Sequence, residues 1–85
     1  MNIYTIHDTA ADYYLPPYFA KNDAQAKRMF IGSLGDSFPH RSDFNLYLIG
    51  QFDDNTGNIT AQNPASILAG RSISADLAPQ MELKL

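Results

Sequence analysis

The chain has 85 residues, nine acidic against six basic side chains for a net charge of −3, 45% hydrophobic and 12% aromatic residues, and no cysteine. Such a composition gives one thin-cored globular domain and excludes a disulfide scaffold, a thiolate metal site and a cysteine nucleophile. Its net charge repels a polyanion, so any nucleic-acid contact requires a locally basic surface.

The opening, Met1 to Asp8, has no cationic segment and no long apolar run, so it reads as neither a signal peptide nor a membrane span. Ile3, Tyr4, Thr5 and Ile6 favour a strand, and a polar break over 8–12 follows. "YYLPPYFA" is a second extended piece. Pro16 and Pro17 lack an N–H, which confines it to a sheet edge or an irregular approach to the helix.

Asn22 is positioned to cap a helix, with Gln25 three residues on as the reciprocal capping-box partner and Asp23 favourable to the dipole. Ala26, Met29, Phe30, Ser33 and Leu34 share one face at helical spacing. Gly35 supplies a stop, and Gly32 weakens the last turn by about 1 kcal/mol relative to alanine. "DSFPHRSD" reads as a loop. "FNLYLIGQF" then alternates, sending Phe44, Leu46, Leu48 and Phe52 toward the helix and Asn45, Tyr47, Ile49 and Gln51 to the opposite face.

The oxygen-rich "GQFDDNTGNIT" admits two readings. A calcium loop needs Gly at position 6 and Glu at position 12, and neither Asp53 nor Asp54 as position 1 provides them. A hairpin accounts for every residue: a type I turn around Asp54, Asn55 and Thr56, Gly57 at the left-handed position, and Ile59 and Ala61 in a returning strand. "ASILAGRSI" fits either a short helical turn or an extended segment, with Ile67, Leu68 and Ile73 as core candidates. The expected architecture is an α+β domain over 1–74, one helix on an antiparallel sheet in β-β-α-β-β order. A tail over 75–85 follows, whose Met81, Leu83 and Leu85 alternate like a strand able to join a sheet edge.

No catalytic or metal-binding pattern emerges. His7 ends a strand beside turn formers, His40 sits in a polar loop, and the two have no shared ligand spacing. The serines form no nucleophile elbow, the glycines no phosphate fingerprint, and Asp53 and Asp54, as consecutive strand residues, face opposite sides. The expectation is a non-enzyme without a cofactor. Single-strand readers combine aromatic faces with cations, and Lys21, Lys27, Arg28, His40 and Arg41 around the helix, with Tyr18 among five tyrosines, supply both. The same residues also fit a plainer account, tyrosines finishing a thin core and cations solvating a helix face.

Several blocks resemble one known family. Ile3-Tyr4 to Asp8, Pro17-Tyr18-Phe19, Ala26 to Phe30, and Phe44 to Gly57 with its "YLIGQFDDNTG" core are similar to the small non-structural protein of gokushovirus-type bacteriophages of the Microviridae. Asn22-Asp23 stands where that family often has glycine, and the likeness runs out after about Gly70. The resemblance implies a protein of the infected bacterial cytoplasm that binds single-stranded DNA or assists the switch to single-strand production. The alternative is an adaptor for phage or host replication or assembly proteins. A thin two-layer domain also leaves a second sheet face open, so Tyr47 and Ile49 are candidate interface residues of a homodimer.

Overall fold

A computed structural model describes residues 1–77. The expected C-terminal strand, with Met81, Leu83 and Leu85, lies outside the described residues. The fold is α+β, one helix packed on a five-stranded antiparallel sheet. Strand β1 (Asn2–Asp8) is central. Along one of its edges lie β2 (Tyr13–Tyr14) and β3 (Tyr18–Ala20), and along the other β4 (Phe44–Phe52), followed by β5 (Ile59–Ala69). The order therefore has one strand more than β-β-α-β-β. Pro16 and Pro17 split the second extended piece in two, and both parts remain edge strands, as residues without a ladder N–H require.

Helix α1 (Asp23–Leu34) begins where its caps dictate. Asn22 Oδ1 accepts the Gln25 N–H at 2.9 Å, while Gln25 Oε1 reaches past the cap residue to the Lys21 N–H at 2.7 Å. Gly35, at φ 49°, ends it in a conformation that disfavours a side chain. Ala26, Phe30 and Leu34 are buried against Tyr4, Ile6 and Leu46, whereas Met29 lies at the exposed margin. Complete burial of Phe30 contributes about 2–3 kcal/mol of transfer free energy.

Two expectations change. "DSFPHRSD" is not an open loop: residues Gly35–Asp43 wind into 3-10 turns, because Phe38 joins the core and pulls the segment inward. Phe52 does not face the helix. Tyr4 pairs with Leu48 but Ile3 with Gly50, so Ile49 is an extra residue on β4 and everything beyond it exchanges faces. Phe52 consequently meets Phe19, the partner of Ile3, edge-on at 5.8 Å between ring centroids.

The hairpin forms as its residues demand. Gly57 adopts φ 78° and donates its N–H to the Asp53 carbonyl at 2.7 Å, and Asp53 Oδ1 accepts the Asn55 N–H at 2.9 Å. "ASILA" is extended as the end of β5, an edge strand that tolerates Pro64, and Gly70–Ser72 then form a 3-10 turn. Ile67 and Leu68 pack on the core and Ile73 is buried in it.

Candidate nucleic-acid interface

The cations are segregated. No strand among the described residues contains Lys or Arg; every described Lys and Arg sits in α1, its approach or the 3-10 turns. Lys27 and Arg28 are adjacent and exposed on α1, Lys21 is exposed just before it, and His40 is exposed at a kink in the Gly35–Asp43 turns. These expected contact residues are thus spread over several helical elements.

Arg41 and Tyr18 have structural partners as well. Arg41 Nε donates to the Ile73 carbonyl at 2.9 Å and Nη1 to the Phe38 carbonyl at 3.3 Å, with the guanidinium 4.5 Å from the Phe38 ring centroid. This clamp joins the turns after α1 to the segment after β5. Tyr18 Oη donates to the Ala26 carbonyl at 2.9 Å and its ring stacks 6.0 Å from Tyr4. Burial, then the nearby Tyr4 hydroxyl, pushes the Tyr18 pKa up to about 12. Tyr4 itself is raised, first by burial and then by its 2.6 Å hydrogen bond to Asp23 Oδ1.

Arg71 was not singled out by sequence reasoning. It projects from the turn Gly70–Ser72 and lines, with Pro39, Arg41 and Ser42, a notch of about 200 Å³. Gly70 makes this possible, since a Cβ there would lie 1.8 Å from the Arg41 carbonyl oxygen. The signal was present in the repeated Arg-Ser pairs, Arg41-Ser42 and Arg71-Ser72, which only folding makes neighbours. Arg71 is exposed here, whereas the Arg41 guanidinium is already bonded to the Ile73 and Phe38 carbonyls, so Arg71 is the side chain of this notch better placed to meet an anion.

The outer sheet face has a different character. His7 stacks on Tyr14 with centroids 4.3 Å apart and planes 12° apart, and Tyr47 lies 6.2 Å from Tyr14. His7 Nε2 is 3.7 Å from Asp12 Oδ1. Tyr14, Ile49, Pro64 and the Leu15-Pro16-Pro17 turn border an apolar depression of about 660 Å³. Tyr47 and Ile49 therefore lie on this face, joined by Tyr14 and Phe19 and by Phe52, which strict alternation sends to the helix side.

Fold and surface together define a small two-layer α+β protein whose helical segments hold the described Lys and Arg side chains among Asp23, Asp36 and Asp43, and whose outer sheet face is aromatic. Among the described residues no three His, Asp or Glu side chains converge as metal ligands, and no helix is long and apolar enough to cross a membrane. Residues 1–73 match the family model of the phage ORF5 protein, and the chain belongs to that bacteriophage family. No curated protein and no solved structure matches it.

Proposed function

We propose that the protein is a non-enzymatic accessory factor of phage genome production in the host bacterial cytoplasm, contacting single-stranded DNA through its helical segments. The observation that carries this is the notch of about 200 Å³ at Arg41 and Arg71, on the part of the molecule that holds every Lys and Arg side chain among the described residues. Lys21, Lys27, Arg28 and His40 are exposed on α1, its approach and the turns that follow it, interspersed with Asp23, Asp36 and Asp43, and are further candidate contacts. The likeness to gokushovirus-type Microviridae proteins supports the strand preference, because such phages package one strand of a genome copied through a duplex. The non-enzymatic reading draws on the engagement of partly buried hydroxyls in structural bonds, Tyr4 on Asp23 and Thr5 on Leu15.

Fluorescence anisotropy with single- and double-stranded oligonucleotides across a salt series tests the proposal. Arg71→Glu should weaken single-strand binding about tenfold and reduce the logarithmic salt slope by about 0.7 for each phosphate it no longer neutralises. Absence of binding at low salt would refute it. A second reading, a protein adaptor, draws on the apolar hollow of about 330 Å³ between α1 and the Pro16 turn, beside exposed Met29. Capture of a specific phage or host protein that survives nuclease would favour it.

A further inference from the structure

We propose that the outer sheet face is the dimer interface, packed face to face against the same face of a second copy. This inference is independent of the DNA reading, since it uses none of the cationic residues.

Charge makes the first argument. The described strands contribute no Lys or Arg, and the face presents Tyr14, Phe19, Tyr47, Ile49 and Phe52. His7 on this face is stacked on Tyr14 and lies 3.7 Å from Asp12 Oδ1, so a polyanion finds little counter-charge there, whereas an identical face meets it with little like-charge repulsion. The carboxylates at this side, Asp12 and the hairpin pair Asp53 and Asp54, are exposed in turns at the ends of the strands, where an interface rim is polar.

Size makes the second. Four strand positions about 4.8 Å apart, along the roughly 23 Å of β1, present on the order of 450 Å² of flat face per copy, so a pair buries about 900 Å² before side-chain relief is counted, close to the roughly 1,000 Å² that marks a specific interface. Aromatic residues are also the side chains enriched at interface centres. Tyr14 is 50% and Phe19 47% exposed, so each has half its surface still to bury. Two such sheets at about 10 Å spacing form an isologous sandwich with both helices, and their cationic side chains, on the outside.

Sedimentation equilibrium of the full chain tests this. The unaltered chain should have twice the monomer mass, and Tyr14→Lys, at a half-exposed position, should halve it while far-ultraviolet dichroism and melting stay native. Phe19→Lys serves if the first variant fails to fold. In the unaltered chain, dilution should shift the ring resonances of Tyr14 and Tyr47 and leave buried Phe38 in place. A monomer at the highest soluble concentration, a dimer that persists in a folded lysine variant, or dilution shifts confined to other residues would each overturn the proposal. So would a monomer whose tyrosine fluorescence is quenched by short single strands through Tyr14, which would make the face a base-stacking surface.

Discussion

Tyr4 and Thr5 are neighbours on β1 and both are buried, at 0% and 4% exposure, but by different means. Tyr4 lies under helix α1, packed with Phe30 and tied to Asp23. Thr5 lies under its own sheet's edge, its hydroxyl donating to the Leu15 carbonyl at 2.7 Å. The inner face is closed by a separate element with its own capping and spacing. The outer face is closed only by side chains reaching over from adjacent strands, and those side chains then become the exposed aromatic surface. One sheet thus yields a core on one side and a contact surface on the other.

Substitutions at matched positions sharpen this contrast. Phe30→Ala, which empties the centre of the inner core, should cost about 4 kcal/mol in urea denaturation. In the monomeric Tyr14→Lys background, Phe19→Ala on the outer face should cost about 1 kcal/mol, because half of that ring is exposed in the single chain. A comparable loss at both sites would mean that the outer face is a second core. Gly70→Ala should cost about 3 kcal/mol, since the added methyl meets the Arg41 and Phe44 carbonyl oxygens at 1.8 and 2.4 Å and must force the corner apart. Tyr4→Phe removes a charge-assisted hydrogen bond on the inner side and should cost about 2 kcal/mol, and Thr5→Val removes a neutral one on the outer side for about 1 kcal/mol.

The same contrast reaches pH dependence. Tyr4 and Tyr18 have folded pKa values raised above that of the unfolded side chain, so the fold prefers their neutral forms. Their contribution is complete below the ordinary tyrosine value of about 10 and is lost as pH rises through the folded values, about 12 for Tyr18. Alkaline melting curves should therefore fall steeply above about pH 10. Tyr18→Phe should flatten that fall, and no change in slope would remove the linkage.

The features written in local chemistry were legible in the sequence. Asn22 caps because a side-chain oxygen three residues before an amide reaches it, and Gly57 turns because only a residue without a Cβ takes φ 78° readily. What stayed hidden depends on partners distant in the chain. The extra residue at Ile49 appears only in the pairing of β4 with β1, so alternation assigned Phe52 to the wrong side. Phe38 looked like part of a polar loop because its two neighbours on either side are Asp36, Ser37, Pro39 and His40, and only the packed helix draws it inward. Arg71 gained meaning from Arg41, 30 positions away, once Gly70 let the two turns touch.

Sedimentation velocity with a fluorescent single-stranded oligonucleotide at low salt tests most directly the claim that helical segments hold DNA while the sheet face holds a second copy. The unaltered chain should sediment as a dimer carrying DNA, Arg71→Glu as a dimer with DNA largely released, and Tyr14→Lys as a monomer that still binds. Loss of DNA in Tyr14→Lys with retention in Arg71→Glu would contradict the account, because the two surfaces would then have exchanged roles.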